Sequence, residues 1–272
     1  GHHSGDLKGL RLQLDMLKRM KKQSLFFIDD TPNVPPKRFK EILNILGDYN
    51  FRWYSFLRVQ YLDEETAKLM KTSGCDGVYL GLESANIQVL KNMNKSATPF
   101  QYQKGIDLLK KHELVSLAAF IIGFPGETAQ SIQDNIDFIS NSGIDYYSLK
   151  EFWYSHRAPI HKSRHNFGLE GVGNEWQHQS MSSKEASQIK LEIFSAIERP
   201  TYIDSDTSLW SLAYLRGAGF DWHSINQAHS IVNKMMKRDN CGKYNHKKDL
   251  VDDLKTVIAG KTQNTGGSCH VR

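Results

Sequence analysis

With 272 residues, 39% of them hydrophobic, and 13 Phe, 11 Tyr and 5 Trp, the chain can bury a substantial core, which excludes fibrous and disordered classes. Its 35 Lys and Arg against 30 acidic residues leave a formal charge of +5, and the excess sits in short helical stretches such as Lys18 to Lys22 and Lys234 to Arg238, with no basic stripe interleaved with aromatics to bind nucleic acid. The longest wholly apolar run, Leu117 to Ile122, is too short to cross a bilayer and no charged-then-apolar leader opens the sequence, so a cytosolic protein with no nucleic-acid or membrane partner is expected.

Leu7, Leu10, Leu14 and Leu17 mark one face of a helix that ends in the basic run near Lys22. A buried strand, Leu25 to Ile28, follows and ends in Asp29 and Asp30. Pro35 and Pro36 open a helix striped by Phe39, Ile42, Leu43 and Leu46, with Gly47 placed to end it. The unit then repeats. Phe51 to Val59 reads as a strand, Asp63 to Thr72 as a helix with an acidic first turn, and Gly77 to Leu82 as a strand ending at Glu83. Tyr102 to Lys111 is helical in pattern. Val115 to Ile122 is the most apolar strand; the turn Gly123 to Thr128 and a helix striped by Ile132, Ile136 and Ile139 come next, and Asp145 to Trp153 is one more strand. Strands alternating with helices at this spacing imply right-handed crossovers and a parallel α/β sheet. Beyond residue 155 strand signals stop. Helices are expected at Lys184 to Glu198, Leu209 to Arg216, Ser224 to Arg238 and Lys248 to Ile258, and the last dozen residues read as a loose tail. The expected organisation is a barrel-like part over 1–160, a helical extension over 161–260 and a flexible tail over 261–272.

In parallel α/β architectures the site lies at the carboxyl ends of the strands, where the connecting loops converge. Asp29 and Asp30, Arg58, Glu83, the 123–128 turn with Glu127, and Glu151, Trp153 and Tyr154 are the residues so placed. Acidic groups and one arginine on a single rim suit a ligand carrying an ammonium, a carboxylate and hydroxyls, as a zwitterionic nucleoside does. The competing role for Asp29, Asp30 and Glu127 is capping of the helices that follow them, and for the aromatics it is core packing. The three cysteines, Cys75, Cys241 and Cys269, are too scattered for a disulfide framework or a metal knuckle and read as free thiols.

Three segments, Phe27 to Val34, Gly77 to Ser84 and Phe120 to Thr128, resemble the second, fourth and fifth strand motifs of radical S-adenosylmethionine (radical SAM) enzymes. The likeness is greatest to the cobalamin-associated branch, which includes methyltransferases and peptide-maturation enzymes. Leu90 to Lys95 and Trp176 to Met181 add to it, and it extends over roughly residues 7 to 215. The resemblance implies a partial (β/α)6-type barrel lacking its first strand. It implies SAM held by its amino group at Asp29 and Asp30, its carboxylate at Arg58, its ribose hydroxyls at Glu83 and its adenine along Ile122, Gly123, Phe124 and Pro125, with Glu127 in the same turn. Glu151, Trp153, Tyr154, Trp176 and His178 would lie toward the substrate, a small molecule or peptide. The family reaction is reductive cleavage of SAM by a 4Fe–4S cluster to give a 5′-deoxyadenosyl radical.

The sequence departs from that family: the CxxxCxxC loop that holds the cluster is absent, and so are the first strand and the upstream domain that would hold cobalamin. His2 and His3 offer two potential metal ligands, but an adjacent pair at a chain start reads rather as loose polypeptide. The expectation is a fragment of a longer enzyme, inactive alone, with cobalamin possible in the parent; a naturally cluster-less copy that only binds or scaffolds is the alternative. A hydrolase using Asp29 and Glu83 as acid and base or as Mg²⁺ ligands is the third reading. Without a first strand, the apolar edge of Leu25 to Ile28 is expected to drive association or to need the missing N-terminal region as cover.

Overall fold

The computed structural model describes residues 6–29, 31–203, 208–240 and 247–264. Asp30, His2, His3, Cys241 and Cys269 lie outside the described residues. The chain divides into two units, 1–200 and 201–272.

In the first unit the sheet runs β1 (Ser24–Phe27), β2 (Arg52–Leu57), β3 (Cys75–Glu83), β4 (Val115–Ile122), β5 (Tyr146–Glu151) in spatial order, every neighbouring pair parallel. Sequential order with a helix after each strand follows from right-handed crossovers. The connecting helices are α1 (Leu7–Arg19) before β1, α2 (Pro36–Gly47), α3 (Glu64–Thr72), the short α4 (Ile87–Asn92), α5 (Pro99–Lys111) and α6 (Ala129–Asn141). Their starts are chemically marked. Asp6 and Asp63 accept from backbone N–H groups of the first turns of α1 and α3, and Thr98 with Gln101 and Thr128 with Ser131 form capping boxes on α5 and α6.

The helices cover one face. Trp53 Nε1 donates to the Ser73 carbonyl at the end of α3, 2.9 Å away, and Phe120 meets Phe138 of α6. Side chains alternate along a strand, so Phe26, Phe56 and Tyr79 lie on the opposite, helix-free face, where their rings meet edge-on at 5.7 and 5.2 Å. On the covered face Val78, Leu80, Phe120 and Ile122 are fully buried, each contributing about 1.5–3 kcal/mol of apolar burial. β1 is the sheet's edge, and Ile28 just beyond it is 67% exposed.

The absence of strands after residue 155 is corrected here. The stretch contains an antiparallel sheet, β6 (Glu170–Val172), β7 (Glu175–His178) and β8 (Met181–Ser182), preceded by a short helix α7 (Arg164–Phe167) and followed by α8 (Ser183–Ala196). Three strands of two to four residues bearing Glu170, Glu175 and Gln177 carry too little apolar pattern to be read from sequence. α8 packs on β4 and β5, with Ser187 Oγ 2.6 Å from the Glu151 carboxylate. The first compact unit runs to Pro200. The second unit opens with β9 (Thr201–Tyr202) and holds α9 (Ser208–Gly217), α10 (Trp222–Asn240) and α11 (Lys247–Asn264), the last reaching into the expected tail. No helix among the described residues is long and apolar enough to cross a membrane.

Candidate functional site

The end of β3 is the most unusual piece of backbone on the strand-tip rim. Glu83 has φ +68°, a left-handed conformation that costs a non-glycine residue roughly 1 kcal/mol or more. A Cβ on Gly81 would stand 2.7 Å from Glu83 Oε1, so the carboxylate folds back over its own strand, onto the helix-free face above Tyr79. Only glycine leaves it that room. Lys95 holds it there: Nζ lies 2.9 Å from Glu83 Oε1 and donates as well to the Gly81 carbonyl. The pair is partly exposed, at 19% for the lysine side chain and 26% for the glutamate, so a ligand can reach it. Tyr102 on α5 donates to the Leu82 carbonyl at 3.0 Å and fixes the strand end from behind. Burial first, then the negative charge of Glu83, push its phenol well above the usual range, against the opposing pull of Arg58. Arg58 and Glu83 are thus both within electrostatic reach of one buried hydroxyl.

Asp29 and Arg58 line a cavity of about 790 Å³ at the β1 edge. Its walls come from α1 (Leu10, Gln13), the loop Thr31 to Pro35, α2 (Arg38, Phe39, Ile42) and the covered side of β2 (Trp53, Ser55). Asn33 joins the two strand tips. Its buried amide donates to the Arg58 carbonyl at 2.9 Å and accepts from the Arg58 N–H at 3.0 Å, as a neighbouring strand would. Glu83 is not among the residues lining this cavity.

The 123–128 turn is built differently from an open ligand loop. Gly123 has φ +90°, and its N–H donates to Glu127 Oε2 at 2.6 Å. Glu127 has no exposed surface, and Asn135 Nδ2 approaches its other oxygen at 3.3 Å. Burial pushes this carboxyl up to about 7, against the Gly123 hydrogen bond. Glu127 is therefore the internal staple of the turn, and the cap of α6 is Thr128. The carbonyls of Ile122, Gly123, Phe124 and Pro125 each already accept a bond, from Phe152 N–H, His178 Nε2, Glu127 N–H and Asn92 Nδ2 in that order. The Nε2 proton of His178 sits on Gly123, leaving Nδ1 to accept from Ser180; burial holds this imidazole below its ordinary range.

The residues expected on the substrate side divide. Trp153 is 60% exposed, whereas Tyr154 is buried with its hydroxyl 2.7 Å from His161 Nδ1. Trp176 is buried, bonded to the Phe152 carbonyl and stacked on His178. Glu151 faces α8, paired with Ser187 and Lys190. Sequence reasoning missed Lys95, Tyr102 and Asn33 as site-forming residues; only Lys95 and Asn33 fell inside quoted motifs, and nothing in a motif says which side chain they meet.

The residue types suit SAM, a carboxylate with an arginine for its amino acid end and a carboxylate for its ribose, but Asp29 and Arg58 line the cavity at the β1 edge and Glu83 does not. The donor set does not fit an iron–sulfur cluster. Cys75 is buried on β3, its thiol pushed far above the usual range by desolvation, and no group of three His, Cys, Asp or Glu among the described residues could hold a metal.

The description "Radical SAM superfamily" matches residues 6–139. That superfamily uses SAM and a 4Fe–4S cluster. Among curated proteins, an uncharacterized methyltransferase, PH0819, of Pyrococcus horikoshii is 38% identical over 122 residues, covering 44% of this chain and 27% of its own length. The bacteriochlorophyllide d C-12(1)-methyltransferase of Chlorobaculum tepidum is 34% identical over 128 residues, covering 46% and 28%. The chain thus spans little more than a quarter of the curated relatives it matches. Among solved structures, the methyltransferase TsrM of Kitasatospora setae, with cobalamin and an iron–sulfur cluster bound, aligns with TM-score 0.64 at 12% identity over 95% of this chain and 56% of its own; at that identity the likeness shows the fold alone. The matched stretch 6–139 spans β1 to β4 and the helices between them, and it belongs to the radical SAM superfamily.

Proposed function

We propose that the strand tips of the first unit hold SAM as part of a radical SAM methyltransferase, with the amino acid end at Asp29 and Arg58 and the ribose at Glu83. The observation that carries this reading is the strained, glycine-dependent Glu83 carboxylate fixed by Lys95 on the open face of the sheet. Strain of that kind persists where the surrounding structure over-determines it, and it concentrates at ligand-binding positions. Methyl transfer is supported by the two curated relatives, both named methyltransferases, and cobalamin as a further cofactor by the resemblance to its branch and by the TsrM structure. When bound and cleaved reductively, SAM supplies the radical of the family reaction. This chain's residues orient it: Lys95 keeps Glu83 an acceptor aimed along the open face, and Asn33 keeps Arg58 beside the Asp29 loop. The cluster thiolates are not among the 272 residues, and no step of the reaction is assigned to this chain's own cysteines.

Titration calorimetry with SAM tests the reading. Wild type binds, and Glu83→Gln weakens binding roughly tenfold, the value of one charge-assisted hydrogen bond. Lys95→Met weakens it less, because the acceptor remains but loses its aim. A chain that binds no SAM, or a Glu83→Gln variant that binds as wild type does, contradicts the proposal. Binding by the chain with no turnover after reconstitution with its cluster-bearing segment favours the non-catalytic alternative. The hydrolase reading gains nothing from the geometry, since Asp29 lines a cavity that Glu83 does not.

A further inference from the structure

The segment 152–169 leaves β5 with no acidic residue and carries His156, Arg157, His161, Lys162, Arg164 and His165. It lies at the carboxyl rim of the sheet, because the Phe167 ring packs 3.7 Å from where a Cβ on Gly126 would stand, beside the turn that ends β4. The cations are gathered, not scattered. The His156 and His161 rings are 4.7 Å apart, and Arg164 Nη1 donates to the His161 carbonyl at 3.1 Å. Two fixed hydrogen bonds hold the imidazoles in place: His161 Nδ1 to the Tyr154 hydroxyl at 2.7 Å, and His156 Nε2 to the Gly171 carbonyl at 3.1 Å. The outer nitrogens, His161 Nε2 and His156 Nδ1, make no hydrogen bond among the described residues, and none of the six basic side chains has a carboxylate partner there.

Basic side chains gathered without acidic partners raise the local concentration of anions and favour an anion that accepts charge-assisted hydrogen bonds from them. The reach of their charge is about 8 Å at physiological ionic strength. Desolvation first, then Arg164, His156 and His165, hold the His161 imidazole below its ordinary range, and no acidic side chain offsets them.

We propose that His156, His161, Arg164 and His165 form an oxyanion-binding site at this rim, taking a phosphate or carboxylate group of the small molecule on which the protein acts. That the bound molecule is the substrate rests on the strand-tip reading above; that an oxyanion binds here does not. The test follows the histidine ring signals of the full chain by NMR at constant pH, titrated separately with sulfate, with succinate, and with sodium chloride at matched ionic strength. Saturable shifts of the His156, His161 and His165 signals with sulfate or succinate, and not with chloride, are expected. Tighter sulfate binding points to a phosphate-bearing ligand and tighter succinate binding to a carboxylate. Arg164→Gln weakens the effect roughly fivefold, as loss of one partly exposed charged donor should, whereas Lys68→Gln on α3 leaves it unchanged. Equal shifts with chloride, or an Arg164→Gln variant that titrates as wild type does, overturn the proposal. Because SAM is absent from this titration, its failure leaves the nucleoside reading standing, and loss of SAM binding in Glu83→Gln leaves this one standing.

Discussion

Gly123→Ala is expected to destabilise the first unit by about 3 kcal/mol, the sum of a left-handed backbone forced on a non-glycine residue and of overpacking. The new methyl would stand 2.5 Å from the Trp176 ring and 2.8 Å from the Ala186 Cβ, with φ at +90°. Neither neighbour can give way easily. Trp176 is buried, tied through Nε1 to the Phe152 carbonyl and stacked on His178, and Ala186 lies on α8 with no exposed surface. Any shift of residue 123 also disturbs two bonds at once, its N–H to Glu127 and its carbonyl from His178. Gly9→Ala is the matching control: it sits in α1 with nothing within 4 Å of the added atom, so helix propensity alone makes it neutral or stabilising by up to about 1 kcal/mol. Urea denaturation of both variants measures this. A Gly123→Ala change below about 1 kcal/mol would mean that the turn is not the rigid corner described.

The second large effect is a pH slope from Glu127. Its folded value, pushed up to about 7 by burial, lies above the 4.5 of an exposed glutamate. The folded state therefore holds the proton more tightly than the unfolded chain. The contribution to stability is fully present below pH 4.5 and is lost as pH rises toward 7, with a total of about 3 kcal/mol over that window. Glu127→Gln removes the ionisable group, so its stability should be nearly flat in this respect between pH 4.5 and 7.5. Its absolute level falls where the new amide nitrogen meets the Asn135 amide nitrogen in place of an acceptor. Parallel pH profiles of the wild type and the variant would show that the carboxyl ionises without cost and that its buried position is wrong.

Much of the sheet could be read from the sequence because burial writes long patterns. Val115 to Ile122 is apolar at almost every position and buried at all but two of them, and its bounds coincide with β4. Pro36 and the stripe of Phe39, Leu43 and Leu46 likewise fixed α2. The failures share one cause, which is that short elements carry little pattern. α4 has six residues, and its clearest start signal is the side chain of Asn86, which accepts from Gln88 and Val89 N–H. In β7 the alternation is present, with Trp176 and His178 buried and Glu175 and Gln177 exposed, but four residues cannot distinguish it from chance. At the site, residue type identified Glu83 and Arg58 as rim residues, yet gave no hint that Glu83 turns back over Gly81 to meet Lys95, twelve positions away. Glu127 was open between two roles, ligand contact and helix cap. The structure gives it a third, since its full burial against Gly123 N–H depends on the path of the whole turn.

A crystal structure of this chain grown with SAM tests the central claim most directly. The account predicts the ribose hydroxyls against the Glu83 carboxylate on the helix-free face, with Lys95 still in contact, and the amino acid end toward Asp29 and Arg58. SAM bound away from Glu83, with the Glu83 and Lys95 pair undisturbed, would contradict it.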